Sequence, residues 1–176
     1  SQLIQDEHVT EVYHLAAILS ATAEQNPLRA WNINMSGLLN VLEASTLHQP
    51  CKVFFPSSIA VFGNFIDRKR VDQHAVQHPT TLYGISKSAG ENWCQYYAQH
   101  RGVDVRSLRY PGVIGHQSLP GGGTTDYAVH IFHEAIRRGH YTSYLAPNTV
   151  LPMIHMDDAI DATIALMTVP TERISI

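Results

Sequence analysis

Apolar residues along this chain switch between a strand rhythm and a helix rhythm. Val9 to Leu15 is β-branched and aromatic, and it runs into the small residues Ala16 and Ala17, which predicts a buried strand. Asn26-Pro27 then offers a helix start with proline at the first helical position. From Trp31 to Leu47 the apolar residues Met35, Leu38, Leu39 and Leu42 recur at helical spacing, so an amphipathic helix is expected. Lys52 to Phe55 is a short apolar run ended by Pro56, Ser57 and Ser58, which predicts a central strand delivering polar residues at its C-terminal end. Asn64 to Pro79 is polar and irregular and reads as a surface loop. Tyr83 to Gln99 returns to helical spacing with Trp93, Tyr96 and Tyr97 as its bulky members, and Gly102 follows as a C-cap. Val103 to Tyr110 alternates and then meets Pro111-Gly112, a strand ending in a turn.

Strand patterns separated by helices predict βαβ crossovers and hence a parallel sheet of the doubly wound α/β class. Beyond them, Gly121 to Asp126 opens a helix running to about Arg138, Tyr141–Leu145 and Leu151–His155 read as short strands, and Asp157 to Met167 is a helix with acidic residues at its start. The terminal residues Arg173 to Ile176 read as part of another strand. In this architecture ligands bind beyond the carboxyl ends of the strands. The segments to inspect are therefore Ala16 to Thr22, Ser57 to Gly63 and Pro111 to Thr125.

Composition narrows the partners. The 176 residues carry 12 Lys+Arg against 15 Asp+Glu, a net charge of -3. The only tight cationic cluster is Arg68, Lys69 and Arg70, so no nucleic-acid partner is expected. Two cysteines make neither a disulfide framework nor a thiolate zinc site, which fits a reducing intracellular compartment. No run approaches the roughly 20 apolar residues of a membrane span, so no membrane partner is expected. Of the 11 histidines, His130 and His133 share a helix face, but no third ligand stands at a recognisable spacing and no metal is expected.

The chemistry gathers at Tyr83-Gly84-Ile85-Ser86-Lys87. Tyr83 and Lys87 are four apart, so on a helix they share a face. A phenol with a reference pKa near 10 supplies little anion at neutral pH, and lowering it by about three units takes roughly 4 kcal/mol of differential interaction. A lysine ammonium and a cationic nicotinamide ring would supply much of that. Ser58, at the end of the preceding strand, would orient a substrate hydroxyl. The alternative is a tyrosine and a lysine placed by chance on a solvated helix.

With these motifs the chain resembles the extended short-chain dehydrogenase/reductase family, which includes sugar-nucleotide epimerases. The matching segments are His14–Ala17 (HLAA), Asn34–Ala44, Pro56–Gly63 (PSSIAVFG), Tyr83–Lys87 (YGISK) and Arg109–Gly115 (RYPGVIG), in family order. The resemblance implies a Rossmann-like fold and NAD as cofactor. Leu15, Ala16 and Ala17 would line the cofactor, Asn34 would hold the site's geometry beside it, and Tyr110 and Pro111 would flank the nicotinamide end. Ser58, Tyr83 and Lys87 would be catalytic, with Tyr83 and Lys87 also at the cofactor. In the family the catalytic hydroxyl stands five residues before the motif's closing glycine, and counting back from Gly63 reaches Ser58; Ser57 would make a backbone contact to the cofactor.

Two departures bear on the substrate. Where sugar-nucleotide enzymes usually carry an asparagine after Arg-Tyr, this chain has Pro111-Gly112-Val113. Leu19–Glu24 (LSATAE), Pro120–Val129 (PGGGTTDYAV) and Leu151–Ala162 instead resemble the NAD-dependent L-threonine 3-dehydrogenases of the family. That likeness implies oxidation of the L-threonine 3-hydroxyl to 2-amino-3-oxobutyrate, with Ser20, Ser58, Tyr83, Gly123, Thr124, Thr125 and Asp126 at the substrate. A helix N-terminus after the glycines suits a carboxylate. Asp126 would attract an ammonium or simply cap the helix, and a phosphate-loop reading of the glycines lacks the following Lys-Ser/Thr. A nucleotide-sugar epimerase or dehydratase and a non-catalytic family member are the other readings.

The family also implies a homodimer through the two long helices. It implies a cytoplasmic location in a bacterium or the mitochondrial matrix in a eukaryote. Residues 1–115 are expected to form part of an NAD-binding Rossmann domain, and 116–176 part of a substrate region interleaved with it. The sequence contains no GxxGxxG or GxGxxG turn for a pyrophosphate. An internal stretch of a longer enzyme is therefore expected, with weak or no NAD binding on its own.

Overall fold

The computed structural model describes residues 2–47, 51–63, 70–117, 119, 121, 123 and 125–174. Thr124, the segment 64–69 with Arg68 and Lys69, and the last two residues, Ser175 and Ile176, lie outside the described residues. In chain order the elements are α1 (Gln2–Asp6), β1 (Glu11–Tyr13), α2 (Ser20–Gln25), α3 (Pro27–Leu47), β2 (Lys52–Ser58), α4 (Leu82–Arg101), β3 (Asp104–Tyr110), β4 (Gly112–Ile114), α5 (Tyr127–Arg138), β5 (Met153–His155) and α6 (Met156–Thr168). Short 3-10 turns follow β2 at Ile59–Val61 and α6 at Thr171–Arg173.

The expected parallel sheet is present, ordered β1-β2-β3, with Lys52 opposite both Glu11 and Asp104. A second parallel pair, β4 with β5, sets Gly112 against Met153. Together with the helices this is a Rossmann-like α/β fold. The alternation of strand side chains divides the sheet faces. Val53, Phe55 and Val105 join Leu38, Leu42, Cys94, Tyr97 and Val103 in a core under α3 and α4. On the opposite face Phe54 is fully buried, with its ring 6.0 Å from Tyr13 and 6.3 Å from Tyr110.

Several boundaries differ from the sequence reading, each for a local reason. β2 does not stop at Phe55 but runs through Pro56 to Ser58. Even-numbered residues of β2 hydrogen-bond toward β1, as Lys52 N does to Thr10 O and Phe54 O does from His14 N. β1 has ended before the level of Pro56, so the missing proline N–H has no acceptor to lose. Gly112 is not a turn residue but the first residue of β4. Tyr141–Leu145 forms no strand; Tyr144 stands exposed, and the Ser143 hydroxyl accepts from Leu145 N at 3.2 Å, a local bond in place of a ladder. The short helices α1 and α2 were not anticipated, and β1 and β5 are shorter than the patterns suggested. Of Arg173–Ile176, expected as part of a strand, Arg173 closes a 3-10 turn begun at Thr171 and Ile174 lies in no strand, while Ser175 and Ile176 lie outside the described residues.

Helix α4 is well delimited at both ends. The Thr81 hydroxyl accepts from Gly84 N, and Gly102 closes the other end in the left-handed conformation with φ 70°. The Glu24 carboxylate of α2 adds a second cap by accepting from Leu82 N at 2.7 Å. The segment carrying Ser20 is thereby fastened to the start of the helix that carries Tyr83. Among the described residues no helix is long and apolar enough to cross a membrane.

Candidate active site

The carboxyl ends of β1, β2 and β3 open into one cleft of about 1520 Å³, closed on the far side by α6 and by the loop before α5. Leu15, Ala17, Ser20, Ser57, Ser58, Tyr83, Lys87, Tyr110, Pro111, Gly123, Thr125 and Asp126 all line it. Two expected residues do not. Ala16 lies on the same segment but faces solvent, and Asn34 sits behind the wall, 7% exposed. Asn34 accepts from Ile18 N at 2.7 Å and donates to Ile18 O at 3.2 Å, so it holds the loop after β1 rather than the cleft surface.

Lys87 is buried on α4 one turn after Tyr83, and its Nζ lies 5.5 Å from the centre of the Tyr83 ring. Its ammonium donates to Pro56 O at 2.7 Å. That carbonyl points toward the place where β1 would continue, so the lysine takes an acceptor the sheet leaves unpaired. Burial pushes the amine down from its ordinary 10.5 to about 8. For Tyr83, burial raises the phenol above its usual value, while the hydrogen bond with the Ser58 side chain pulls it down. The sequence reading expected Lys87 to depress the phenol. Here desolvation outweighs every attractive contribution, and the hydroxyl of Ser58 supplies the one that opposes it.

The lysine shift gives a pH signature of stability. Between pH 8 and 10.5 the unfolded chain holds a proton at Lys87 that the folded chain has lost, so stability rises with pH across that window. Melting temperatures of the unmodified protein and of Lys87→Met are expected to diverge in favour of the unmodified protein from pH 8 to pH 10. A constant difference over that range would contradict the burial of a titrating lysine.

Close packing holds the start of α4, next to Tyr83, against the end of β2, next to Ser58. A Cβ built on Gly84 would lie 2.5 Å from the backbone oxygen of Ala60, immediately beyond β2. Gly84→Ala is therefore expected to push the start of α4 off the end of β2. A stability loss of about 1–3 kcal/mol is expected in urea denaturation. A loss below about 0.5 kcal/mol would show that this contact yields freely.

Behind the cleft stands an ion pair that the sequence reading missed. Arg109 donates from Nε and Nη2 to the two carboxylate oxygens of Glu91, each at 2.8 Å. The same carboxylate accepts from Ser57 Oγ at 2.5 Å and from Gln77 Nε2 at 2.6 Å, and Arg109 also donates to Gln73 O at 2.7 Å. Although burial alone would raise the Glu91 carboxyl, its bonds to Arg109 and Ser57 hold it below the usual range. The side chain of Ser57 thus faces away toward this network, and the loop bearing Gln73 and Gln77 is tied to the sheet. Carrying the four-residue step from Tyr83 through Lys87 once more reaches Glu91, which was the available signal.

The loop before α5 also differs from the expected open helix terminus. Gly123 N donates to Asp126 Oδ2 at 2.8 Å, Asp126 N to Gly123 O at 3.3 Å and Ala128 N to Thr125 O at 3.1 Å. Amides expected to face a substrate carboxylate are thus engaged within the loop, and Asp126 acts on its own backbone. Tyr110 lines the cleft with its ring, but its hydroxyl pairs with Thr163 of α6. Among the described residues no three His, Cys, Asp or Glu side chains gather as a metal site would need.

The residues present suit the nicotinamide end of a dinucleotide. The small Ala17 leaves room at the end of β1, Pro56, Tyr110 and Pro111 give flat apolar walls, and a lysine and two hydroxyls stand at one end. Comparison with known proteins agrees with that geometry. The chain is 50% identical over 172 residues to an uncharacterized epimerase/dehydratase of Staphylococcus haemolyticus, covering 98% of this chain and 54% of that protein. Among solved structures, a holo GalE-like L-threonine dehydrogenase from Cupriavidus necator is 52% identical with a TM-score of 0.94, over 99% of this chain and 56% of that one. L-threonine dehydrogenase from Phytophthora infestans is 43% identical with a TM-score of 0.95, over the same 99% and 56%. The chain spans about half the length of the curated relatives it matches. Since the family's sequence profile also matches from residue 1 to residue 175, the chain belongs to the NAD dependent epimerase/dehydratase family.

Proposed function

We propose that the protein is an NAD-dependent L-threonine 3-dehydrogenase, in which Tyr83 takes the proton from the 3-hydroxyl and C3 is oxidised to the ketone of 2-amino-3-oxobutyrate. The observation that carries this reading is the meeting, in one cleft, of Ser58, Tyr83 and Lys87 with Thr125 and Asp126 of the loop before α5. Sequence and fold likeness to L-threonine dehydrogenases supports the choice of substrate.

Each residue has a physical task. Tyr83 acts as general base, and its anion is favoured by the hydrogen bond with the Ser58 side chain, which opposes the effect of burial. Ser58 holds the substrate hydroxyl toward the phenol. Leu15, Ala17, Tyr110, Pro111 and Lys87 would hold the nicotinamide end of NAD, with Ser57 contributing its backbone. When bound, NAD supplies a two-electron acceptor. Asn34 acts from behind by fixing the loop after β1. Ser20 and Thr125 face the amino acid, and the apolar walls exclude water from the reacting hydroxyl.

The deciding experiment incubates the complete protein, since this chain spans about half the length of its relatives, with NAD and either L-threonine or a UDP-sugar and follows the absorbance of reduced nicotinamide. Reduction with threonine alone supports the proposal. Epimerised sugar without net reduction would replace it with the epimerase reading, and no reaction with either would favour a non-catalytic member. We also propose a homodimer through α3 and α4, where Trp31, Trp93 and Tyr96 are 36%, 40% and 44% exposed. Sedimentation at the monomer mass would rule it out.

A further inference from the structure

Gly112 is a glycine that its own backbone does not require. It pairs with Met153 as ordinary parallel strand, and it is not among the positive-φ glycines, which are Gly63, Gly102 and Gly139. What demands glycine is the neighbour across the cleft wall. A Cβ at position 112 would stand 2.3 Å from Thr125 Cγ2, 2.5 Å from Thr125 Oγ1 and 2.7 Å from Thr125 Cβ. Every side-chain heavy atom of Thr125 therefore occupies the space that any other residue at 112 would claim.

The clash can be relieved on one side only. Gly112 N donates to Pro152 O at 3.1 Å, and the β4–β5 pairing holds the strand from the same side. Thr125 instead belongs to the loop before α5, and a side chain at 112 would drive it outward together with Asp126. Among the described residues Thr125 Oγ1 has no hydrogen-bond partner, and it lines the same cleft as Ser58 and Tyr83. With the amides of Gly123, Asp126 and Ala128 engaged inside the loop, this is a hydroxyl the described part of the loop offers a ligand.

We propose that Gly112 is a positioning residue for substrate specificity: its missing side chain seats the Thr125 hydroxyl against the cleft, where it hydrogen-bonds the carboxylate of a small hydroxy amino acid. Identification of that ligand rests on the dehydrogenase reading; the interlock of positions 112 and 125 does not. The assignment separates this residue from the reacting groups. A substitution at 112 acts on binding through Thr125 and leaves the proton transfer at Tyr83 in place.

The test is a cycle of Gly112→Ala, Thr125→Gly and the double variant, made in the complete protein and read by melting temperature, by KM and kcat for threonine, and by NAD affinity from fluorescence. Gly112→Ala is expected to raise KM by about tenfold while kcat changes less than about threefold, the split that marks lost ground-state binding. Thr125→Gly should raise KM to a similar degree, because it deletes the hydroxyl. The double variant should be no worse than Thr125→Gly alone and should recover the melting temperature lost in Gly112→Ala, since the three atoms nearest the added methyl are then gone. NAD affinity should not change in any of them. Additive effects on both KM and melting temperature, or a Gly112→Ala variant with unchanged KM, would overturn the proposal. If the unmodified protein does not oxidise threonine, the functional reading fails, and the melting cycle still decides the interlock. If threonine is oxidised and the melting cycle is additive, the interlock alone fails.

Discussion

Tyr83→Phe is expected to reduce threonine-dependent NAD reduction by roughly 10²- to 10⁴-fold, the range over which a positioned general base contributes. The substitution removes one oxygen from a half-buried ring, so NAD affinity and melting temperature should stay close to those of the unmodified protein. The pH profile carries the sharper information. Burial raises the Tyr83 phenol and the Ser58 hydrogen bond lowers it, so the rate should climb with pH as the phenol ionises. Ser58→Ala removes the lowering contribution and should move the rising limb toward higher pH as well as reduce the rate. Two results would sink the assignment: Tyr83→Phe retaining more than about a tenth of the turnover, or Ser58→Ala moving the limb to lower pH.

Arg106→Met should destabilise the protein by about 3–5 kcal/mol, as for a buried ion pair broken from one side. Arg106 is 1% exposed on β3 and is the largest of the fully buried side chains among the described residues. Its Nη1 donates to the carbonyl oxygens of Leu166 at 2.6 Å, Met167 at 3.1 Å and Val169 at 2.6 Å, at the C-terminal end of α6 where carbonyls run short of intrahelical donors. Its Nε and Nη2 each donate to the Asp104 carboxylate at 2.8 Å. Methionine fills much of the volume but takes the guanidinium donor from all three carbonyls and from Asp104, leaving Leu166 O with Val169 N, Met167 O with Lys52 Nζ and Asp104 with the Thr171 hydroxyl. Arg106→Lys should recover only part of the loss, because an ammonium cannot reproduce the planar fork.

The contribution of that pair also has a pH sign. Hydrogen bonds from Arg106, above all, hold the Asp104 carboxyl below its usual range. Its stabilisation is therefore complete above the ordinary carboxylate range and fades as pH falls below it. Since α6 brings Ala159, Ile160 and Thr163 to the cleft, Arg106→Met should also raise KM for threonine. Urea denaturation showing less than about 1 kcal/mol of destabilisation would mean that α6 is held by other contacts.

Much of the architecture was legible from spacing. The parallel sheet followed from β-branched runs separated by helical repeats, and the Tyr83–Lys87 face followed from the helical period alone. What failed were features whose cause lies in a neighbouring element. Pro56 looked like a strand end, and it continues β2 because β1 stops before reaching it. Tyr141–Leu145 looked like a strand, and no partner among the described residues pairs with it. The loop before α5 looked like an open anion site, and its own Asp126 carboxylate and carbonyls engage the amides of Gly123, Asp126 and Ala128. Glu91 carried no expectation and Arg109 stood only at the head of a family-like segment, until β2, β3 and α4 brought them together.

The sequence by itself determined the class of fold, the order of its elements and which hydroxyls and amine share one face, because periodicity and residue chemistry are local along the chain. Tertiary structure decided the rest. It set the protonation balance at Tyr83 and Lys87, because desolvation depends on what covers a group. It also decided the demand for glycine at 112, because the side chain that fills that space comes from Thr125, in another segment of the chain.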